Sequence, residues 1–176
     1  MRRLLAVLPI AVLLVLAGVF AFSSLRHDPK VIPRAMVGRP APSETLPILG
    51  AAGSAPVLPP GRSGPVLVNF FASWCAPCAE ESPELMALKA EGVTVIGVAY
   101  EDDPQKTQDF LTRFGNPYAS VHVDRAGRAG IDYGVSGVPE TYLVSADGKI
   151  LEKQATPLRP GDAEALLAKG STPGAR

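Results

Sequence analysis

A chain of 176 residues, 47% of them hydrophobic, can bury the core of one ordinary domain and leaves little for a second. Lysine plus arginine equals aspartate plus glutamate at 17 each, which excludes both the basic footprint of a nucleic-acid binder and a large acidic field. Arg2, Arg3, Arg26 and Lys30 against Asp28 at the N-terminal end leave residues 31–176 with a net charge of −3.

Leu4 to Phe22 is an uncharged run of 19 residues rich in Leu, Val and Ala, preceded by Arg2 and Arg3. Crossing a bilayer core takes roughly 17 to 25 helical residues, and flanking arginines stay on the cytoplasmic side. Residues 1–25 therefore read as a single-pass anchor in the cytoplasmic membrane, with the C-terminal part in the periplasm. The rival is a cleaved signal peptide, whose apolar region is shorter, about 7 to 15 residues. AGVFAFSS resembles its cleavage site only loosely. Residues 26–35 read as a linker, 36–170 as the folded domain and 171–176 as a disordered tail. The whole tract from 29 to 65 is rich in Pro, Gly, Ala and Ser, the composition of a spacer leading into an irregular first strand.

Strand and helix patterns then alternate. VLVNFFAS (66–73) is a continuous apolar run suited to a strand covered on both faces. CAPCAEESPELMALKAEG supplies a helix closing on Gly92, with Pro83 bending it early. VTVIGVAY (93–100) is a second buried strand, and DPQKTQDFLTRFG (103–115) a helix with Phe110, Leu111 and Phe114 on one face. SVHVD, TYLVS and KILEKQ are shorter strands, the last two joined across ADG as a hairpin, and GDAEALLAKG is the final helix. This order indicates an α/β sandwich with a mixed central sheet flanked by helices.

The chain's only cysteines, Cys75 and Cys78, fall where the first buried strand gives way to a helix. Unpaired N–H groups and the positive end of the helix dipole favour a thiolate at Cys75. Cys78, one turn on, can close a disulfide with it, so the first sulfur attacks and the second resolves the mixed disulfide. Pro77 is accommodated because the first helical turn needs no donor. Two buried structural cysteines, half a zinc site or a fixed structural disulfide are the alternatives. His27 and His122 are the only histidines available to complete a zinc site, and so short a loop would constrain the unfolded chain weakly. The redox reading is the strongest of the four.

WCAPC resembles the thioredoxin-like superfamily, and GVPET (137–141) matches the place where that superfamily sets a cis-proline against the cysteines, which makes Pro139 the candidate. Taken with VNFFASWCAPC, GVAYEDDP, FGNPY, DRAGRAGIDYGVSGVPET and DGKI, the chain from about residue 36 to 168 is similar to the DsbE/CcmG family, the membrane-anchored thiol:disulfide oxidoreductases of c-type cytochrome biogenesis. The resemblance implies a thioredoxin-like sandwich, no cofactor beyond the cysteine pair and no metal. It implies substrate contacts at Trp74, Pro77 and Val138, and a monomer. It also implies a periplasmic reductant of apocytochrome c, or of another disulfide-bearing protein, that is re-reduced by a membrane-embedded thiol donor. Three residues depart from the family pattern, Glu101, Gln154 and Thr156.

Charges near the motif agree with a reductant. Glu80, Glu81 and Glu140 lie close in sequence to the cysteines or to Pro139, with no Lys, Arg or His inside the motif, and acidic neighbours disfavour a thiolate. Asn69 stands where thioredoxins carry a buried Asp, so the resemblance passes proton transfer at Cys78 to Glu81 and Glu140. A general extracytoplasmic thiol reductase of the same superfamily is the nearest rival. A copper chaperone would need three residues between the cysteines and a late His, and a peroxidase relative a Thr-x-x-Cys motif.

Overall fold

The computed structural model describes residues 12–20, 22 and 36–170. The chain divides into two compact units, Met1–Ile32 and Pro33–Arg176. In the first, residues 12–20 are helical and all exposed. The expected span from Leu4 to Phe22 extends over positions outside the described residues. Among the described residues, no helix is long and apolar enough to cross a membrane.

The second unit contains, in chain order, β1 (Thr45–Pro47), β2 (Ser54–Pro56), β3 (Val66–Phe71), α1 (Ala76–Ala90), β4 (Val95–Tyr100), α2 (Pro104–Phe114), β5 (Ser120–Asp124), α3 (Arg128–Tyr133), β6 (Glu140–Val144), β7 (Ile150–Gln154) and α4 (Asp162–Gly170). Five strands form one mixed sheet in the order β5-β4-β3-β6-β7. β3, β4 and β5 run parallel, whereas β6 and β7 are antiparallel to their neighbours. β3 is central and buried along its whole length, which is why its apolar run shows no alternation.

Alternate residues of β3 serve two cores. Leu67 and Phe71 face a layer holding Cys75, Cys78, Leu85, Leu88, Phe110 and Leu166. Val66, Val68 and Phe70 face the other, with Tyr133, Tyr142, Leu46 and Val57. Because residues paired directly across an antiparallel ladder share a face, Asn69 and Thr141 look toward the cysteine layer, while Phe70 and Glu140 look away from it.

Two segments carry more structure than their composition suggests. Residues 36–65, read both as the end of a spacer tract and as the start of the folded domain, belong to the fold: β1 and β2 form a hairpin turning at Gly50 and Gly53, both at positive φ. Its apolar residues Leu46 and Val57 bury themselves in the second core, and Ile48 bridges to His122 on the sheet edge. The many prolines and glycines mask a few residues whose burial holds the segment down. The second is α3, which in the sequence is legible only as part of a motif. Gly127 and Gly134 take left-handed conformations at its two ends, and a Cβ on Gly130 would sit 2.3 Å from the Tyr100 ring.

Gly97 of β4 makes a similar hollow on the cysteine side. A Cβ there would meet the Tyr118 ring at 2.8 Å, and that ring stacks on Phe71 with centroids 4.7 Å apart.

Candidate active site

β3 ends at Phe71 and delivers the chain into the loop that starts α1, with Cys75 as the N-cap. The Cys75 Sγ accepts the Cys78 N–H at 3.1 Å, one of the donors that a helix start leaves without an internal partner. Ala76 and Pro77 form the first turn, where a proline costs no hydrogen bond. Cys75 and Cys78 are joined by a disulfide, and both are buried, Cys78 the more deeply. The Val138–Pro139 peptide bond is cis, and Val138 presents its carbonyl oxygen 3.5 Å from the Cys75 sulfur. Pro139 is buried, Val138 half-buried, and Pro77 and Trp74 are exposed around the sulfurs.

Trp74 is 60% exposed, yet the loop beneath it is held firmly. Asp102 is 3% exposed and accepts four hydrogen bonds. They come from the Ser73 N–H at 2.7 Å, the Ser73 hydroxyl at 2.7 Å, the Asp103 N–H at 2.8 Å and the Thr107 hydroxyl at 2.9 Å. The Trp74 Nε1–H reaches the carbonyl of Glu101, a residue at φ 47°. Sequence reasoning does not single out Asp102. The available signal is its place between a buried strand and the helix cap Asp103, where an acid is bound to meet free N–H groups.

One turn beyond Cys78, on the same buried side of α1, lies Glu81, 1% exposed. Its Oε1 accepts from Asn69 Nδ2 at 2.9 Å and its Oε2 from the Leu158 N–H at 3.0 Å. Asn69 Nδ2 also donates to the Thr141 hydroxyl at 3.0 Å, and Asn69 Oδ1 accepts the Tyr118 hydroxyl at 2.7 Å. Burial pushes the Glu81 carboxyl up to about 7, with the Leu158 and Asn69 hydrogen bonds opposing it. Burial first, then the Glu81 charge, pushes the Tyr118 phenol upward. Glu81 is thus a buried carboxyl poised near neutrality, one helical turn from Cys78. Glu80, by contrast, is exposed.

Glu140 is equally buried but sits in the other layer. Its Oε2 pairs with Lys153 Nζ at 2.9 Å and accepts the Tyr142 hydroxyl at 2.8 Å, while its Oε1 accepts both the N–H and the hydroxyl of Ser136. Lys153 also donates to the Gly134 carbonyl and lies over the Tyr142 ring. The expectation of an acid without a compensating cation therefore fails at Glu140. The reason is a hairpin register: β7 sets Lys153 opposite Tyr142, whose side chain shares a face with Glu140. The structure thus brings Cys75, Cys78, the Val138 carbonyl and Glu81 together on one side of β3, with Val138 itself packed against both layers, and directs Glu140 to the other side. Among the described residues, no cluster of His, Cys, Asp and Glu could hold a metal ion.

A helix-capping disulfide against a cis-proline, on a mixed sheet in this strand order, defines a thioredoxin-like thiol:disulfide oxidoreductase. The Redoxin family model matches residues 36–167. The chain is 41% identical over 160 residues to the thiol:disulfide interchange protein HelX of Rhodobacter capsulatus, covering 90% of each chain. It is 36% identical over 167 residues to the thiol:disulfide interchange protein DsbE of Escherichia coli (strain K12), covering 91% of this chain and 89% of that one. A crystal structure assigned to DsbE of Chlorobium tepidum superimposes with a TM-score of 0.59 at 30% identity, covering 74% of this chain and 92% of that one. The chain belongs to the Redoxin family, among the DsbE/HelX thiol:disulfide interchange proteins.

Proposed function

We propose that the protein is a membrane-anchored, periplasm-facing reductant that opens the disulfide of apocytochrome c before haem attachment. In this reading residues 1–25 are the anchor, 26–35 the linker, 36–170 the working domain and 171–176 a tail. Cys75 as thiolate attacks one substrate sulfur, forming a Cys75–substrate disulfide and releasing the other substrate sulfur as a thiolate, which takes up a proton. Cys78 gives its proton to Glu81 and attacks the Cys75 sulfur. The Cys75–Cys78 bond forms, the second substrate thiol leaves with a proton, and two electrons have passed to the substrate. A membrane-embedded thiol donor restores the dithiol. Trp74, Pro77 and Val138 are the surface on which the substrate lies.

The observation that carries the reducing direction is the setting of Cys75. Its sulfur has one N–H donor and faces the Val138 carbonyl oxygen, and among the described residues no Lys, Arg or His is bonded to it. A thiolate so weakly stabilised leaves the dithiol form less favoured, and hence the stronger reductant. The membrane anchor is supported by the run from Leu4 to Phe22, and the cytochrome substrate by the resemblance to the DsbE/CcmG family. Expressing the full chain as Cys78→Ser and isolating what is covalently held on Cys75 tests the proposal. Recovery of apocytochrome c supports it. Recovery of other exported proteins alone turns the assignment to a general extracytoplasmic thiol reductase.

A further inference from the structure

The exposed ring of Trp74 is one wall of a groove of about 350 Å³ between the disulfide loop and α2. Phe110 and Phe114 give it apolar surface, and Lys106, Asp109 and Arg113 stand around it. These α2 positions recur at three- and four-residue spacing, so a single helix face builds that side of the groove over a length of about 10 Å. Phe110 and Phe114 pack ring to ring, with centroids 4.9 Å apart.

Lys106 and Arg113 are exposed, and no carboxylate pairs with either among the described residues. The Arg113 guanidinium carbon lies 5.1 Å from the centroid of the Phe114 ring, a contact through its flat face that leaves the N–H edge open. Asp109 accepts from Gln105 Nε2 at 3.0 Å, and Asp103 at the start of α2 pairs with Arg125. Two cations against one acid leave the groove with an unbalanced positive charge. A second hollow, where α1 meets the segment leading into α4, has the opposite balance, with Glu80 and Glu84 against Arg159. The surface around the disulfide is therefore polarised, and its positive part is the one that adjoins Trp74 and an apolar floor.

We infer that this groove seats the chain of the disulfide-bearing partner beside its reacting cysteine. The segment it fits carries an apolar side chain, which lies on Trp74 and Phe114, and a carboxylate that reaches Lys106 and Arg113. An extended chain covers roughly 3.3 to 3.6 Å per residue, so a carboxylate about three residues from the cysteine spans the α2 face. The inference rests on Cys75 being the attacking thiol. Residues 31–176 carry a net charge of −3, so the domain as a whole repels an acidic segment. Preference for one requires a local cationic seat, and complementary charge of that kind acts mainly on the rate of encounter.

The test measures attack by the full reduced chain on 2-pyridyl mixed disulfides of two acetylated peptide amides, Glu-Phe-Gly-Cys and its reverse Cys-Gly-Phe-Glu, each beside its Gln counterpart. In every case the Cys75 thiolate takes the peptide sulfur and expels pyridine-2-thiolate, which gains a proton and is read by absorbance. Hydroxyethyl 2-pyridyl disulfide, which has no chain to seat, supplies the reference rate. At low ionic strength at least one Glu peptide should react about fivefold faster than its Gln counterpart, as two exposed charge pairs allow. Salt at about 1 M, where the screening length is near 3 Å, should remove the difference. Lys106→Gln combined with Arg113→Gln should bring the Glu peptide to the rate of the Gln peptide and leave the reference rate unchanged. Equal rates for Glu and Gln peptides in both orders, faster reaction of the Gln peptides, or an advantage that survives the double variant overturns this inference alone. Absence of reaction with the hydroxyethyl reagent overturns the thiol-exchange reading, and this inference with it.

Discussion

Asn69 Nδ2 donates to Glu81 Oε1 across 2.9 Å, inside the mostly apolar core layer that also holds the two cysteines. The central strand therefore supplies an amide rather than an acid, and the titrating carboxyl comes from the helix that carries the cysteines. Both oxygens of Glu81 receive N–H donors, which keep its ionised form accessible despite burial.

Stability should fall with pH because of Glu81. Its carboxyl titrates from 4.5 in the unfolded chain to about 7 in the folded one, so folding favours the neutral form. That contribution is complete below pH 4.5 and lost as pH rises through 7. It amounts to ~3 kcal/mol at most between those limits. Urea unfolding of the oxidised protein across this range should show the decline, and Glu81→Gln should flatten it. A parallel slope in the variant assigns the decline to another group.

Glu81→Gln should also slow resolution of the mixed disulfide by about a hundredfold at neutral pH, since the proton acceptor for Cys78 is gone. Attack by Cys75 on a model disulfide, read as formation of the mixed species, should change far less. Equal slowing of both steps points instead to a general disturbance of the α1 start.

Cys75→Ser should abolish mixed-disulfide formation, and Cys78→Ser should accumulate it. In the reduced protein, iodoacetamide at neutral pH should alkylate Cys75 first. Labelling of Cys78 ahead of Cys75, seen by peptide mass spectrometry, reverses the two roles.

Glu140→Gln should destabilise the fold by about 3 kcal/mol, because it leaves the Lys153 ammonium buried without its counter-charge. Glu140→Gln combined with Lys153→Met should recover most of that loss. The pH dependence of Cys75 alkylation should hardly move, as Glu140 faces the other core. A marked shift in that profile, with stability intact, restores Glu140 to a direct influence on the thiol.

Asp102→Asn keeps one of two acceptor oxygens where four donors converge, and should cost about 1–3 kcal/mol. Hydrogen exchange should quicken at Ser73 and Asp103 before it does in the sheet. Unchanged protection at those amides separates Asp102 from the support of the Trp74 loop.

Residue patterns in the sequence make the central sheet and its principal helices legible, since their apolar runs and terminal glycines are local signals. The cysteine pair, at the end of a buried strand, carries its own geometry. What escapes such reading is set by register and by packing. Lys153 reaches Glu140 only once β6 and β7 are aligned, and Glu81 is buried only because the Leu158 segment and Asn69 close over it. The β1–β2 hairpin hides in a Pro- and Gly-rich tract, where composition points to a spacer while Leu46 and Val57 are in fact core residues.

The hollow at Gly97 reaches further than the strand it belongs to. It lets the Tyr118 ring lie flat where its hydroxyl meets Asn69 Oδ1, and that bond decides which end of the amide looks at Glu81. With the ring in place the NH₂ faces the carboxyl and favours its ionised form. Were a methyl group at position 97 to lift the ring, the amide would be free to rotate and offer oxygen instead, a partner that suits only the protonated acid. A single hydrogen atom on β4 thus acts as the latch on a rotor, and the proton affinity beside Cys78 is held by the thickness of a backbone.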